Sequence, residues 1–478
     1  MEKNVLNKLK EIVGGNNFLD SQEDKICYAF DGTPMLNQLP EAVLFPENEE
    51  QISQILKLAN QEKFAVVPRG AGTGLSGGSV PVENSVVIVL TKWNKILEID
   101  KTNLTAMIQP GVITGQFQKE VEGLGLFYPP DPGSMNVCTL GGNVAENAGG
   151  LRGLKYGVTK NYVLGLEMIM PNGELLKTGG KNMKDVAGYN SRDIIVGSEG
   201  TLGIITKILI RLIPKPTKNF TLLAYFDKLV NAGQAISDII AAHVVPCMME
   251  FLDKTTINCI EDYVNIGLPR DAEAVLLIEV DGKGSAVDDE ANAVLEILRK
   301  NKSSFIKTAS TESESLELKT ARRSAFSALA RKKPTTILED VTVPRSELPR
   351  MVEFIQEVGK KFNVTFGNFG HLGDGNLHPT CLTDERDKDE INRAHKAFDL
   401  IFDEAIRLGG TITGEHGTGL SKKSFLEKVA GSEGIKFMKD IKSVIDPNNI
   451  LNPGKILTLS PKCEGKLPRT REEIKDFH

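Results

Sequence analysis

The placement of glycine limits how this chain can fold more than any other feature of the sequence. The 45 glycines concentrate in residues 70–78, 133–157, 197–203 and 367–375. Because glycine has no side chain, such clusters allow the backbone to approach a ligand closely. The first cluster contains Gly72-Thr-Gly-Leu-Ser-Gly77, which matches the G-x-G-x-x-G pattern of Rossmann dinucleotide-binding loops.

The residues after this loop argue against a Rossmann site. A Rossmann loop opens directly into a helix whose N-terminus carries the pyrophosphate. Here Gly78, Pro81 and Asn84 lead into an apolar strand at Val86, and the roughly eight residues before that strand leave no room for a helix. The sequence instead predicts a nest of backbone N–H groups from Arg69 to Gly78, suited to a diphosphate. An ordinary flexible loop is the alternative.

Composition and charge exclude several classes of protein. The 478 residues predict about two to four domains, and a formal charge of −6 without a basic stripe argues against nucleic-acid binding. The six cysteines include no C-x-x-C pair, which argues against a disulfide framework, a zinc ribbon and an iron–sulfur cluster. We expect reduced thiols in a cytoplasmic protein, and no transmembrane segment, because no apolar stretch approaches the ~20 residues that span a bilayer.

Alternating helical and strand patterns predict an α+β chain. The proline-rich segment Pro214-Lys-Pro-Thr predicts a domain boundary. The predicted divisions are a first domain over 1–215, a second domain over 216–410, a closing segment over 411–457 and a polar, loosely held tail over 458–478. The predicted strands are 42–46, 64–68, 86–90, 105–109, 204–212 and 274–280, and the predicted helices are 49–61, 114–123, 230–241 and 288–300.

Three motifs, in this order, resemble the FAD-binding domain of the vanillyl-alcohol oxidase and p-cresol methylhydroxylase superfamily. They occupy residues 68–78, then 130–134, 139–150 and 155–159, and finally 197–205. The resemblance implies a vanillyl-alcohol-oxidase-type FAD-binding domain over 1–215 and an α+β, ferredoxin-like substrate cap over 216–410. It also implies that residues 411–457 return to the flavin domain.

The resemblance assigns the FAD pyrophosphate to the first motif and the adenine and ribose to the third. Neither glycine-rich loop carries the histidine or cysteine to which some family members link the flavin, so we expect non-covalent FAD, with nearby Cys138 as the one reservation. Asn452 is implied to lie near the isoalloxazine, although a simple Asn/Pro turn is the alternative. The implied FAD contacts are Pro68, Arg69, Gly70, Ala71, Gly72, Thr73, Gly74, Leu75, Ser76, Gly77, Pro132, Gly133, Ser134, Thr139, Gly141, Gly142, Asn143, Ala145, Glu146, Asn147, Gly149, Gly150, Tyr156, Gly157, Glu199, Gly200, Gly203, Ile204, Ile205 and Asn452.

Two histidines flank a predicted hairpin turn at Asp374-Gly375, a pair typical of the type I′ turn. A turn centred there places His371 directly opposite His378. Directly opposed side chains lie about 5 Å apart on one face of a hairpin, as two ligands of one metal require. Two ordinary surface or turn histidines are the alternative.

A glutamate and a histidine follow in Gly414-Glu415-His416-Gly-Thr-Gly419, after the strand-like residues 411–413. The resemblance is to the branch with the glycolate oxidase flavoprotein subunit, FAD-linked D-lactate dehydrogenase and D-2-hydroxyglutarate dehydrogenase. It implies that His371, His378 and Glu415 bind a divalent metal and that His416 is the catalytic base. Zinc is favoured, and iron(II) or manganese(II) would accept the same ligands.

The substrate carboxylate of such an enzyme needs a fixed cation, and the bidentate fork of arginine suits it. The resemblance places this arginine in Leu318-Lys-Thr-Ala-Arg322-Arg323, where we choose Arg322. A solvated helix face with Arg323 and Arg331 is the alternative. Leu338 and Phe326 stand where the hydroxyglutarate branch carries polar substrate contacts, which favours a small monoacid.

The resemblance implies FAD-dependent oxidation of a small D-2-hydroxy acid to the 2-oxo acid. D-lactate is favoured, with glycolate or D-2-hydroxyglutarate as alternatives. Two rival functions remain at this point, a reductase of an enolpyruvyl sugar nucleotide and a flavin electron relay without its own substrate. The favoured electron acceptor is an electron-transfer flavoprotein rather than an iron–sulfur subunit, in a complex that could be electron-bifurcating.

Overall fold

The structure is a computed structural model that describes residues 1–458, and these residues form two folded units. The first unit contains residues 1–148, 158–215 and 415–458, and the second contains residues 149–157 and 216–414. Residues 149–157 therefore group with the second unit, whereas the sequence analysis assigned them to the first domain. The predicted polar tail lies outside the described residues from residue 459 onwards.

The two units divide the strands cleanly. The first unit contains β1 (Phe18–Leu19), β2 (Ala42–Leu44), β3 (Ala65–Arg69), β4 (Ser85–Val89), β5 (Ile96–Asp100), β6 (Thr105–Ile108), β7 (Leu126–Phe127), β8 (Val163–Ile169), β9 (Leu175–Gly179), β10 (Ile204–Arg211) and β11 (Ile213–Pro214). The second contains β12 (Lys218–Phe226), β13 (Met248–Asp253), β14 (Ala274–Gly282), β15 (Phe305–Thr308), β16 (Thr335–Leu338), β17 (Val341–Thr342), β18 (Thr365–His371) and β19 (Asn376–Thr383).

Helices occur throughout both units. In chain order they are α1 (Lys3–Val13), α2 (Gln22–Ile26), α3 (Glu49–Glu62), α4 (Thr114–Glu122), α5 (Leu140–Glu146), α6 (Gly153–Tyr156), α7 (Ser191–Ile195), α8 (Leu229–Ala241), α9 (Lys254–Val264), α10 (Ala286–Lys300), α11 (Glu312–Arg323), α12 (Ala325–Ala330), α13 (Leu348–Phe362), α14 (Lys388–Arg407) and α15 (Lys423–Ile445). Short 3₁₀ turns cover Gly15–Asn17, Thr159–Asn161 and Arg345–Glu347. Among the described residues, no helix is both long enough and apolar enough to cross a membrane.

The first unit begins with the strand–helix–strand arrangement that the sequence predicts. Strands β2, β4 and β3 are parallel neighbours, and β1 pairs antiparallel with β2 at one edge. Helix α3 begins after Asn48, whose side chain accepts the Gln51 N–H, the usual cap for an orphan helix donor. The helix buries Ile52, Ile55 and Leu56 in the core with the parallel strands.

The connection from β3 to β4 is the glycine loop itself. Parallel neighbouring strands are usually joined through a helix. Residues 70–84, all of which the structure describes, contain turns and bends but no helix. The exclusion of a Rossmann site by sequence context is therefore confirmed. A second sheet of this unit, in the order β5-β6-β10-β8-β9, is antiparallel throughout.

The chain after α15 extends the parallel sheet beside β3. The Val66 N–H donates to Ile450 O and the Asn452 N–H donates to Val66 O, both at 2.8 Å. This parallel bridge lies in the first unit, with residues that arrive from opposite ends of the sequence. It fixes the backbone position of Asn452, which the resemblance implies to lie near the isoalloxazine.

The second unit contains an eight-stranded sheet in the order β15-β12-β14-β13-β18-β19-β16, with β17 paired to β19. Its first half follows a βαββαβ path through β12, α8, β13, β14, α10 and β15, with α9 inserted between β13 and β14. This is the ferredoxin-like connectivity that the resemblance implied. The fold class is therefore confirmed as mixed helices and sheets.

A buried lysine holds the closing segment to the rest of the first unit. Lys442 Nζ lies 2.5 Å from Asp446 Oδ2 and donates to the carbonyl oxygens of Thr201 and Leu451 at 2.7 and 2.8 Å. The Asp446 carboxylate also accepts the N–H groups of the segment that pairs with β3, including Leu451 at 2.9 Å. Both side chains are almost fully buried, so each depends on the other for charge balance.

We expect Lys442→Met to lower the free energy of unfolding of the first unit by about 3–5 kcal/mol, because Asp446 would remain as an uncompensated buried charge. Urea unfolding followed by the fluorescence of Trp93, the single tryptophan, measures this. The matched control is Lys436→Met on the exposed face of the same helix, with an expected change within about 0.5 kcal/mol. Equal effects of the two substitutions would contradict the assigned role of Lys442.

Candidate active site

The glycine loop of the first motif is tied to the segment before β2. The Gly32 N–H donates to Gly74 O at 2.8 Å, and the Gly77 N–H donates to Thr33 Oγ1 at 2.7 Å. Gly77 has a φ of +77°, and a Cβ there would lie 2.9 Å from Leu36 Cδ1. The loop therefore requires glycine at this position both for its backbone conformation and for its packing.

Arg69 closes the start of the loop from the side of β3. Its Nη1 donates to Phe30 O at 2.7 Å, and its guanidinium carbon lies 5.7 Å from the ring centroid of Tyr28. A Cβ on Gly72 would lie 2.0 Å from Arg69 Nη2. Burial lowers the pKa of Arg69, and the negative charge of Asp31 partly offsets this effect. The buried Arg69 side chain therefore packs against the glycine loop and leaves no space for a side chain at Gly72.

The second motif opens as a short helix against the first. Thr139 caps α5 by accepting the Gly142 N–H at 3.2 Å, and a Cβ on Gly70 would lie 2.3 Å from Thr139 Oγ1. Gly141 packs equally closely, since a Cβ there would lie 2.5 Å from Cβ of Pro110. Because these positions are glycine, the segments that contain Gly70, Gly141 and Pro110 can pack closely together.

Four charged side chains form a buried charge cluster in the first unit, defined as Glu146, Glu199, Lys422 and Lys455. Glu199 accepts the backbone N–H groups of Thr418 and Gly419, both at 2.7 Å. Burial nevertheless raises the pKa of Glu199 to about 7. Burial also raises the pKa of Glu146, and the negative charge of Glu199 raises it further. Burial lowers the pKa of Lys455 to about 7.

Asn452 joins the first and third motifs. Its Nδ2 donates to Gly78 O at 2.8 Å and to Glu199 O at 2.7 Å. Ser76 Oγ, Glu146 Oε2 and Asn452 Oδ1 are buried and have no hydrogen-bond partner among the described residues. Unsatisfied buried polar atoms are rare in native proteins and mark places that a ligand completes. These three residues are among the implied FAD contacts, and they fit a cofactor with many polar groups.

One face of the second unit's sheet carries a row of buried polar side chains. Alternate residues of a strand share a face, and paired residues of neighbouring strands lie side by side. The registers from β12 to β19 therefore place Thr221, Glu279, Glu250, His371 and His378 on the same face. All five are buried.

Helix α11 contributes one polar side chain to each of three neighbouring strands in this row. Ser315, Lys319 and Arg322 are spaced by four and three residues, which puts them on one helix face. Each of the three contacts one of three neighbouring strands. Ser315 Oγ lies 2.7 Å from Thr221 Oγ1 on β12, and Lys319 Nζ lies 2.8 Å from Glu279 Oε2 on β14. Arg322 Nη2 lies 2.6 Å from Glu250 Oε2 on β13. The alternative of a solvated helix face is wrong for Arg322, which is buried.

Glu250 contacts two of the residues that the sequence analysis selected. Its Oε1 lies 2.7 Å from His371 Nδ1, and its Oε2 lies 2.6 Å from Arg322 Nη2. The guanidinium carbon of Arg322 lies 4.8 Å from the ring centroid of Phe369, within cation–π range. Burial alone raises the pKa of Glu250, but His371 and Arg322 outweigh it, so this pKa is lower than usual. Glu250 is therefore ionised at neutral pH.

The predicted hairpin register is wrong by two residues. His371 pairs with Asn376, and Phe369 pairs with His378, across a loop formed by residues 372–375. Gly375 has a φ of +91°, but Asp374 is not in the positive-φ region that a type I′ turn also requires. A shift of two residues preserves the alternation of faces, so His371 and His378 still share a face. Their ring centroids lie 5.1 Å apart.

Asp340 explains the observed register. The Asn376 Nδ2 donates to Asp340 Oδ1 and, at 2.8 Å, to Thr342 Oγ1, while β17 pairs with β19 at this residue. Asp340 Oδ2 accepts Thr413 Oγ1–H at 2.7 Å and the Gly414 N–H at 2.9 Å. The Asn376 side chain is thereby held in place, so β19 begins at Asn376.

The remaining predicted site residues belong partly to the first unit and partly to the second. The strand predicted over 411–413 is only an isolated bridge between Thr411 and Thr342. Glu415 and His416 belong to the first unit, with His416 Nε2 3.9 Å from Glu415 Oε1. The implied flavin contacts Gly149, Gly150, Tyr156 and Gly157 group with the second unit, where Tyr156 O–H donates to Asp281 Oδ2 at 2.7 Å.

Sequence reasoning missed Glu250, Asp340, Lys422 and Lys455. The first two carried a usable signal, because each is a carboxylate inside an otherwise apolar strand pattern, Met-Met-Glu250-Phe-Leu and Ile-Leu-Glu-Asp340-Val. A carboxylate is rarely buried in such a position unless it is paired. The two lysines lie in loops of ordinary composition and carried no such signal.

Comparison with known proteins identifies the family. Residues 40–179 match the family described as FAD binding domain, and residues 215–456 match the family described as FAD linked oxidases, C-terminal domain. The chain is 52% identical over 454 residues to glycolate oxidase subunit GlcD of Bacillus subtilis (strain 168), with 95% of this chain and 97% of that protein covered. The chain belongs to the FAD-linked oxidase family. It is an FAD-linked oxidoreductase, and FAD is its cofactor.

Other relatives of this oxidoreductase carry two kinds of name. It is 38% identical over 459 residues to glycolate oxidase subunit GlcD of Escherichia coli (strain K12), covering 96% of this chain and 92% of that one. It is 36% identical over 438 residues to D-lactate dehydrogenase of Archaeoglobus fulgidus, covering 90% and 95%. The solved structure of p-cresol methylhydroxylase with substrate bound has a TM-score of 0.78 at 19% identity, over 95% of this chain and 96% of that one, and shows the shared fold.

We expect Gly200→Ala to reduce the FAD content of the purified protein. Gly200 has a φ of +69°, and a Cβ there would lie 2.5 Å from Cγ of the rigid Pro68 ring. The strain of the left-handed conformation costs about 1–2 kcal/mol, and the clash adds to it. The control is Gly125→Ala, at a φ of +77° with nothing within 4 Å of a Cβ. Absorbance gives FAD per chain, and equal loss in both variants would contradict the close approach of the two motifs.

Proposed function

We propose that this oxidoreductase oxidises a small D-2-hydroxy acid to the 2-oxo acid and passes the electrons to a partner protein. The observation that carries the proposal is the buried Arg322 guanidinium, held by Glu250 beside His371 on one face of the second unit's sheet. A fixed buried cation recognises a carboxylate strongly, and the neighbouring His371 is suited to hold a metal ion that would activate the hydroxyl of the same small molecule.

D-lactate is the substrate that we favour, and glycolate is the second candidate. The names of the relatives support both. Leu338 and Phe326, which the resemblance places where the hydroxyglutarate branch carries polar substrate contacts, are apolar, and Leu338 is buried. A dicarboxylic hydroxy acid would therefore bring an unpaired charge towards apolar side chains, which is costly.

Non-covalent FAD is part of the proposal. Neither motif loop carries a histidine or cysteine anchor, and the Cys138 thiol just upstream is buried against Thr114, with Sγ 3.3 Å from Thr114 Oγ1. When bound, FAD supplies the acceptor for the hydride from the substrate's α-carbon. The glycine loop, Ser76, Glu146 and Asn452 of this chain bind and orient it.

We also propose that His371, His378 and Glu415 hold a divalent ion, with zinc favoured over iron(II) and manganese(II). Two imidazoles and a carboxylate are an accepted ligand set that leaves open positions for substrate. The Nδ1–H of His371 donated to Glu250 leaves the lone pair on Nε2, as in many metal-binding histidines. When bound, such an ion supplies Lewis-acid activation of the substrate hydroxyl.

His416 is the proposed general base. A neutral imidazole takes the hydroxyl proton on a ring nitrogen, and Arg322 binds the substrate carboxylate. The proton and the hydride then leave by different routes. This division of labour is required because the flavin takes the hydride and the protein must take the proton.

The proposed electron acceptor is an electron-transfer flavoprotein in the cytoplasm, in a complex that could couple hydroxy-acid oxidation to NAD. The sequence supports a separate acceptor, because its scattered cysteines offer no iron–sulfur ligand set in this chain. The names of two relatives contain the word subunit, which supports a partner protein in general.

The test of the substrate proposal is anaerobic reduction of the bound flavin by a panel of acids. We expect D-lactate and glycolate to bleach the absorbance near 450 nm, a typical flavin band, within seconds to minutes, and L-lactate and D-2-hydroxyglutarate to do so at least about tenfold more slowly, a difference of about 1.4 kcal/mol. Stopped-flow absorbance measures the rates. Failure of every hydroxy acid to reduce the flavin would overturn the proposal.

We expect His416→Asn to slow flavin reduction by roughly 10²- to 10⁴-fold, the usual weight of a general base, while metal and FAD contents stay normal. His371→Ala serves as the contrasting variant and should lose metal together with activity. Metal analysis and single-turnover reduction at saturating substrate measure both effects. Wild-type reduction by His416→Asn would place the base elsewhere.

A further inference from the structure

We infer that Glu250 is a positioning residue that holds the proposed substrate arginine and a proposed metal ligand at once, so that metal binding and substrate-carboxylate binding are coupled through one carboxylate. The inference rests on the proposed function and goes beyond it. Glu250 is fully buried, and each of its oxygens has a different partner, His371 Nδ1 at 2.7 Å and Arg322 Nη2 at 2.6 Å.

The contact with His371 orients the imidazole. An ionised carboxylate accepts the Nδ1–H, fixes the tautomer and raises the basicity of Nε2. Loss of such a partner typically lowers metal affinity by about 10- to 100-fold. The hydrogen bond also fixes the ring plane of His371, which stands at 86° to the ring of His378. The two imidazoles therefore present different edges towards a shared ligand.

The contact with Arg322 orients the guanidinium. The planar group lies over Phe369 on one side, and its Nη2 forms an ion pair with Glu250 Oε2 at 2.6 Å. Nε and Nη2 are buried and make no hydrogen bond among the described residues, so the contact with Glu250 is a charge pair without hydrogen-bond geometry. An arginine normally uses its donors when buried, so the orientation set by Glu250 reserves donor capacity for another anion. A substrate carboxylate is the anion that the proposed function supplies.

The two effects share one carboxylate, so they are not independent. A shift of Glu250 towards Arg322 lengthens its contact with His371, and the reverse also holds. By thermodynamic linkage, a ligand on either partner changes the affinity for the ligand on the other by the same factor. Glu250 would therefore make tight substrate binding conditional on a loaded metal.

The chain offers a matched control one strand away. Glu279 lies on β14 beside β13, is also buried, and pairs with Lys319 of α11 at 2.8 Å. Glu250 and Glu279 thus occupy the same sheet face, pair with the same helix and have similar burial. Only Glu250 contacts His371 and Arg322.

The experiment compares Glu250→Gln with Glu279→Gln in the full-length holoprotein. Zn²⁺ affinity is measured by competition with a chromogenic chelator, and affinity for the product pyruvate is measured by perturbation of the oxidised flavin spectrum, with no turnover involved. Glu250→Gln should lower Zn²⁺ affinity by about 10- to 100-fold. It should also raise the pyruvate Kd at least about fivefold, the lower end of typical coupling between sites.

Glu279→Gln should leave both affinities within about twofold of wild type. FAD content and circular dichroism check that each variant is folded. If Glu250→Gln does not fold, Glu250→Asp keeps the buried charge on a shorter arm and should weaken both affinities together. That weakening is expected because the arm of aspartate is one methylene, roughly 1.5 Å, too short to reach both partners.

Three results would overturn the inference. These are unchanged affinities in Glu250→Gln, equal losses in the two glutamine variants, and loss of Zn²⁺ affinity alone with normal pyruvate binding. A wild-type protein that binds no Zn²⁺, Fe²⁺ or Mn²⁺ would also overturn it. Failure of the proposed substrates to reduce the flavin is a separate result, since the metal titration and the comparison of variants do not need turnover.

Discussion

The buried carboxylates on the sheet of the second unit set the main physical constraint on this oxidoreductase. An ionised carboxylate in an apolar interior costs several kcal/mol unless a partner of opposite charge reaches it. Helix α11 meets this need through simple geometry. Three residues advance about 4.5 Å along a helix, and neighbouring strands lie about 4.8 Å apart, so a helix across the strands offers one side chain per strand.

That match explains why Arg322 is buried although half of the residues of its helix are charged. Lys319 forms an ion pair with Glu279, and Arg322 forms an ion pair with Glu250 on the next strand. The remaining contact of Glu250, with His371, extends the charged row to the hairpin. The position of the proposed substrate arginine is therefore a consequence of how the helix neutralises the sheet.

The first unit is constrained in a different way, because it has glycine at the positions where segments of the chain pack most closely. Gly70 against Thr139 and Gly200 against Pro68 let the motifs meet, and Asn452 links two of them through its amide. The unit also contains the buried charge cluster of Glu146, Glu199, Lys422 and Lys455. Their shifted pKa values, with Glu199 and Lys455 both near 7, show how strongly burial acts on them.

Sequence reasoning predicted the features that depend on local pattern or on long motifs. The parallel βαβ start, the helix α10 and the exclusion of a Rossmann loop follow from periodicity and glycine context. The hairpin register was wrong because the side chain of Asn376 is held by Asp340, which lies between β16 and β17 and is 36 residues away in sequence. Glu250 was missed for a similar reason, since its partners are 72 and 121 residues away in sequence.

The loop between β18 and β19 need not itself set the phase of the two strands. β19 also pairs with β16 and β17, and Asn376 is held by Asp340, so the face of His378 does not depend on the length of residues 372–375. Hairpin loops of about two to five residues are all common. Related chains can therefore differ in the length of this loop, whereas a one-residue slip of β19 itself would turn His378 away from His371.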